Sequence, residues 1–216
     1  MFFKKYNLSG SPYKNIFTGL LLLLFYIAAT FIKAPVFFLK PRFWAEEGVV
    51  YFMQGRAISL LETLTAMPLG YLSFPANIAG WVSAQLPLYH APLGGLAVSL
   101  AIQLLIPCVV IANRHFDGNR VKQAAFLLVP LLVFQSFETW LNSINSQFWM
   151  ILAASLILAA PRATGSLPGT IVNFCVALLA GLSSPGSAFL APLFAIRAVA
   201  ERQVKWLVFG LAASVG

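Results

Sequence analysis

Apolar residues run through this chain in long uninterrupted blocks, without the two-residue alternation of a strand or the narrow stripe of a soluble helix. Blocks at 16–33, 93–112, 123–137, 147–160, 170–182 and 187–199 are separated by short polar or charged inserts, and another begins near Val204. Such blocks read as membrane helices, because about 17 to 25 apolar residues cover the roughly 30 Å hydrocarbon layer. The expected fold is all-α, a polytopic transmembrane bundle of about six or seven membrane helices forming one domain.

The inserts set the expected topology. Those from Arg114 to Lys122, at Arg162, and from Arg197 to Lys205 are each net positive, as cytoplasmic loops are. An even number of crossings is then expected between them. The uncharged tract between Arg162 and Arg197, about 34 residues, would measure about 51 Å as one helix, so the GLSSPGS break at 181–187 is expected to fold it into a hairpin. Lys4, Lys5 and Lys14 precede the first block, which reads as an uncleaved first helix with its N-terminus inside.

Segment 72–88 contains Pro75, Asn77, Ser83, Gln85 and Pro87, with Trp81 and Tyr89 near its ends. That is the profile of an interfacial or re-entrant helix. Residues 34–92 are therefore expected to form one long first outer loop carrying surface-lying helices; the competing topology has 72–88 crossing and the N-terminus inverted. The sequence stops at Gly216, about 13 residues into its last block and short of the roughly 20 that cross, which suggests the N-terminal part of a longer protein.

Composition agrees with a membrane protein: 60% of the 216 residues are hydrophobic and 9% charged. The net charge of +8 is scattered between uncharged runs and forms no basic face, so it reads as a topology signal and not as nucleic-acid binding. Cys108 and Cys175 lie inside apolar runs and read as small core residues. His90 and His115 make no ligand pair, and no Walker loop, dinucleotide fingerprint or GxSxG elbow is present. No cofactor is indicated, although a divalent metal is compatible with the chain. A glycosylation sequon at Asn7 falls on the expected inner side.

Acids are scarce, and this draws attention to PRFWAEEGVVYF at 41–52. Of six acids, Glu46, Glu47 and Glu62 all fall in the expected outer loop. A carboxylate held against Phe43, Trp44 and Tyr51 at an apolar boundary is a stronger base than one in water. Adjacent helical residues point about 100° apart, so only one of Glu46 and Glu47 is expected to face a given site. Arg42 and Arg56 suit a phosphate at headgroup level, and each equally suits a simple headgroup anchor. The insert ETWLNSINSQ, with Glu138, Asn142 and Asn145, pairs amides with aromatic rings as carbohydrate-handling surfaces do; a helix-end loop with an aromatic belt has the same composition.

RFWAEEG, GYL at 70–72, ETWLNSINSQFW and GLSSPGSAFLAPLFAIR together resemble bacterial members of the C-type glycosyltransferase superfamily, GT-C. The resemblance implies a multi-pass inner-membrane enzyme with an essential acid in its first outer loop. It also implies a polyprenyl-phosphate-linked sugar donor and a glycan or lipid acceptor on the outer side. Related sequences read AEDG, which makes Glu47 the implied catalytic base, flanked by Glu46, with glutamate in place of aspartate. Arg42 and Arg56 would then hold the donor phosphate, and Glu138, Asn142 and Asn145 would line the sugar site. The alternatives are a flippase or small-solute transporter, marked by polar groups at bilayer depth, and a non-catalytic fragment or accessory subunit packing through Gly- and Ala-rich helices.

Overall fold

The computed structural model describes residues 12–132, 137–160, 167–183 and 185–215. Lys4, Lys5, Asn7 and Arg162 lie outside the described residues, as does 133–136 of the expected third block. The described residues are all-helical, with no strand. The long elements are α1 (Pro12–Lys33), followed after α2 (Pro35–Leu39), α3 (Met53–Ala57), α4 (Leu60–Thr65) and α5 (Phe74–Ala84) by α6 (Ala91–Ala112). Then come α7 (Arg120–Leu132), α8 (Ser146–Leu158), α9 (Leu167–Gly181), α10 (Ala191–Glu201) and α11 (Lys205–Ala212).

Two helices are long and apolar enough to cross a membrane, the Ile16–Lys33 part of α1 and the whole of α6. Helix α6 continues past Pro107 and spans 22 residues, about 33 Å. The later blocks form helices close to where the pattern places them, each with fewer residues than α6 over its described length. Helices α7 and α8 have 13 residues each, about 20 Å, and α11 has 8. Local chemistry sets several ends. Pro192 sits in the first turn of α10, where its missing N–H leaves no bond unmade, and the preceding Pro185–Leu190 turn winds as a 3₁₀ helix. Arg202 closes α10 in the left-handed region at φ 53°.

Successive long helices alternate between two ends of the bundle. At one end Phe74 N–H donates to the Leu182 carbonyl at 3.0 Å, tying α5 to the turn after α9. Ser187 Oγ donates there to the Ala213 carbonyl at 2.7 Å, just beyond α11. At the other end Asn113, closing α6, and Asn173, in the first half of α9, exchange amide hydrogen bonds at 2.8 Å each way. Gln123 of α7 donates to the His115 carbonyl at 3.0 Å. Arg197 of α10 donates to the Leu158 carbonyl at the end of α8 and to the Ala160 carbonyl just beyond it, and pairs with Glu201 at 2.8 Å.

Charge divides between those ends. The second end holds Arg114, Arg120, Lys122, Arg197, Arg202 and Lys205 against Asp117 and Glu201, whereas 34–90 and the 137–145 loop together carry Lys40, Arg42 and Arg56 against Glu46, Glu47, Glu62 and Glu138. Between the ends, Tyr26, Ile106, Val109, Leu127, Trp140, Met150, Ile157 and Phe194 fill the core. Large apolar side chains also cover the outside, among them Leu24 and Ile32 of α1, Ile196 and Val199 of α10, and Leu211 of α11.

Residues 34–90 form a helical cap. Its longest piece, α5, has 11 residues, about 16 Å, and packs on α6, α3 and α4. Close approach depends on absent side chains. A Cβ on Gly55 would lie 2.7 Å from the Gly80 carbonyl oxygen, and one on Gly94 would lie 2.7 Å from the backbone of Ser83. Glu62 has a local role: it completes a capping box with Ser59 at the start of α4 and is exposed.

Candidate functional site

Glu47 opens a π-helix, Glu47–Phe52, a form that occurs mostly as single turns and often at functional sites. The turn is preceded by Ala45 at φ 42°, an uncommon conformation for a residue with a Cβ. The π turn carries Glu47 inward, leaving it 6% exposed, while Glu46 faces solvent.

Three hydrogen bonds hold the buried carboxylate. Trp44 N–H donates to Oε2 at 2.8 Å. The backbone N–H and side-chain hydroxyl of Ser143 donate to Oε1 at 2.6 and 2.7 Å. Burial raises the Glu47 carboxyl above the ordinary carboxylate value, against the opposing pull of the Ser143 and Trp44 donors. The balance yields a base stronger than a solvated glutamate, fixed in one orientation.

The loop before α8 explains how Ser143 reaches Glu47. Trp140 is fully buried and meets Trp149 edge to face, with ring centroids 5.0 Å apart, while Trp149 Nε1 donates to the Thr139 carbonyl at 2.6 Å. Asn142 Nδ2 and Asn145 Nδ2 both donate to the main-chain carbonyl of Glu138, the latter at 2.6 Å. Asn142 Oδ1 accepts the Asn145 N–H at 2.9 Å. The Ser143 carbonyl accepts from Ser146 Oγ at 2.6 Å, which leaves the Ser143 N–H and hydroxyl to Glu47. Leu141, at φ 50°, turns the chain within this loop.

These positions sort the residues singled out from the sequence. Asn142 and Asn145 brace their own loop, and Glu138 takes part through its carbonyl while the residue itself is exposed. Arg42 is exposed and lies 5.8 Å above the Trp44 ring; Arg56 is exposed and lies 5.7 Å from the Phe52 ring. The Phe52 ring in turn meets Phe43 at 5.0 Å. Among the described residues, no group of three or more His, Cys, Asp or Glu is placed to hold a metal ion.

Beside Glu47 runs a narrow crevice lined by Phe43, Tyr51, Ala79, Gly80, Ser83, Gly95 and Ser143, about 160 Å³ counting its open mouth. Burial pushes the Tyr51 phenol up to about 12, with smaller upward contributions from Tyr71 and Glu46. Sequence reasoning placed Phe43 and Tyr51 beside the carboxylate but missed Ser143 and Ser83 as neighbours of Glu47. The only available signal was the serine pair inside NSINS, and nothing local tied it to a residue 96 positions earlier. Compared with known proteins, the chain matches no family model, no curated protein and no solved structure.

Proposed function

We propose that this chain is a multi-pass inner-membrane glycosyltransferase that moves a sugar from a polyprenyl-phosphate-linked donor to a glycan or lipid on the outer side. The observation that carries this reading is Glu47, a buried carboxylate of raised basicity at the rim of an apolar bundle, fixed by Ser143 and Trp44. Support for the membrane setting comes from two helices of spanning length, an outer surface rich in large apolar side chains, and basic residues concentrated at one end. In this reading the basic end is cytoplasmic, the capped end is outside, and the later helices complete six or seven crossings.

The chemistry is a displacement at the sugar's anomeric carbon. Glu47 accepts the proton of the acceptor hydroxyl as that oxygen forms the new glycosidic bond. The bond from the anomeric carbon to the phosphate oxygen breaks, and polyprenyl phosphate leaves with the bonding electrons. Arg42 and Arg56, exposed on the cap, are the donors for that phosphate. Glu46, solvated, serves no proton transfer.

The test is transfer of labelled sugar from polyprenyl-phosphate donors in membranes carrying the chain. Glu47→Gln is expected to lower the rate by at least about 10²-fold, with Glu46→Gln within a few-fold of wild type. Equal rates for Glu47→Gln and wild type would sink the assignment. A second reading is favoured by the narrowness of the crevice and the fully hydrogen-bonded carboxylate: a non-catalytic membrane subunit in which Glu47 only ties two segments together. It predicts no transfer by wild type, together with a loss of folding stability in Glu47→Gln.

A further inference from the structure

Buried polar atoms almost always find a hydrogen-bond partner, so those that do not are informative. In the cap, Tyr51 Oη, Gln54 Nε2, Asn77 Oδ1 and Ser83 Oγ are buried and have none. Ser73 and Tyr71 stand close enough to Tyr51 to influence its titration, but neither completes a hydrogen bond to it. Tyr51 and Ser83, 1% and 0% exposed, line the same crevice as the Glu47 carboxylate. Leaving two hydroxyls unmatched beside a buried acid is unfavourable, and water does not relieve it, because the crevice as it stands is too narrow to admit water.

The walls indicate what would relieve it. Ala79 and Gly95 present little or no side chain, so a flat group is able to come close to the backbone beside them. Phe43 supplies an aromatic face from the non-helical segment before the π turn. Small flat walls, one aromatic face, two unmatched hydroxyls and a carboxylate suit the edge of a pyranose or furanose ring. An acyl chain or a bare phosphate would leave the hydroxyls unmatched or face the carboxylate with like charge.

We propose that the crevice between Glu47, Tyr51 and Ser83 receives one edge of a sugar, with the Tyr51 and Ser83 hydroxyls engaging hydroxyl groups that neighbour the one meeting Glu47. This site rests on the transferase reading for its place in a reaction, but its ligand class follows from the crevice itself. The sugar belongs either to the lipid-linked donor or to the acceptor. Tyr51 and Ser83 set which ring hydroxyls are accepted, and opening requires Phe43 to move outward from Gly48, against which it packs.

The experiment is thermal unfolding of the full chain in detergent with polyprenyl-phosphoglucose, polyprenyl-phosphomannose, bare polyprenyl phosphate, and free methyl glycosides. A shift with the sugar-bearing lipids beyond that with the bare lipid marks the donor sugar, and a shift with free glycosides marks the acceptor. Tyr51→Phe and Ser83→Ala are expected to melt at or above the wild-type temperature without ligand, since each removes an unmatched polar atom. Each should weaken the sugar-dependent shift, corresponding to about tenfold in affinity. A Cβ on Gly95 would meet only Ser83 Oγ, at 3.8 Å, so Gly95→Ala should fold normally and weaken the shift by filling the crevice.

Wild-type sugar-dependent shifts in all three variants, or no such shift in the wild type with any probe, would overturn the site. Sugar binding that all three variants lose, in membranes that make no product, would remove the transferase reading and leave the site standing. Wild-type transfer that all three variants retain would do the reverse.

Discussion

Glu47 Oε1 accepts two hydrogen bonds from one residue, the backbone N–H of Ser143 at 2.6 Å and its hydroxyl at 2.7 Å. That pair fastens the segment after α2 to the loop before α8, across 96 residues of sequence. Each partner follows, two positions on, a residue with a side chain in the left-handed region: Ala45 before Glu47 and Leu141 before Ser143. Backbone of that kind persists only where the surroundings fix it. Here Trp44 N–H on one side and the buried Trp140 on the other supply that constraint.

The two residues should therefore be energetically coupled. Ser143→Ala removes the hydroxyl but keeps the N–H donor and is expected to lower stability by about 1 kcal/mol. Glu47→Gln must turn its NH₂ toward the backbone N–H of Trp44 or of Ser143, neither of which can accept from it, and should lose roughly 1.5–3 kcal/mol. Denaturation of the double variant should show about 1 kcal/mol less loss than the sum of the single changes. Strict additivity would mean that the contact is absent in solution.

Protonation gives an independent reading of the same carboxyl. Because its folded value lies above the ordinary 4.5, the folded state holds the proton more tightly than the unfolded state does. This contribution therefore favours folding at low pH, weakens as pH rises from the ordinary value through the folded value, and is level above it. Glu62 acts in the opposite direction, since its hydrogen bonds to Ser59 hold it below the ordinary value. Subtracting the stability profile of Glu47→Gln from that of wild type isolates Glu47, and the difference should fall with rising pH. A difference that rises with pH would mean the donors outweigh burial.

The cap should be far less tolerant at Gly80 than at Gly95. A Cβ on Gly80 would lie 2.5 Å from the carbonyl carbon of Tyr51, so backbone must move, whereas one on Gly95 meets only a hydroxyl at 3.8 Å. Gly80→Ala is expected to cost about 1–3 kcal/mol or more by forcing α5 away from the π-helix. Gly95→Ala should stay within about 0.5 kcal/mol of wild type. Thermal melts of the two variants side by side decide this, and equal melting temperatures would contradict the packing.

At the opposite end Arg197 joins three elements. It donates to the last carbonyls of α8, pairs with Glu201, and lies 3.9 Å from the Trp206 ring centroid, while Trp206 Nε1 donates to Glu201 at 2.9 Å. Arg197→Ala should lower stability by about 2–4 kcal/mol, since Glu201 is left partly buried without its cation. Arg197→Lys should recover less than half of that, because an ammonium cannot serve the carbonyls, the carboxylate and the ring at once. Recovery of full stability by lysine would show that charge alone matters there.

The order of helices was legible in the sequence because apolar runs and charged inserts are local properties. Ile16 to Lys33 and Ala91 to Ala112 have the length and apolarity of spanning helices whatever surrounds them. The inserts around Arg114 and Arg197 meet at one end because the apolar runs they close, α6 and α10, run in the same direction when successive helices alternate. Glu47 stood out for a similarly local reason, a pair of acids in a chain with six. Helix ends were less legible: the sixth block was expected to start at 187, whereas 185–190 wind as a 3₁₀ turn and α10 begins at Ala191.

What the sequence determined by itself was the all-helical class, the division into apolar blocks and charged turns, and the candidacy of one glutamate. Tertiary structure alone decided that Glu47 is buried and Glu46 is not, because a single π turn fixes which of two adjacent side chains points inward. It also decided that Asn142 and Asn145 shape their own loop, that Ser143 holds the carboxylate, and that Tyr51 and Ser83 line its crevice. Such pairings depend on how close backbones approach at Gly80 and Gly94, and that distance is set by packing between helices far apart in the chain or joined by a tight turn.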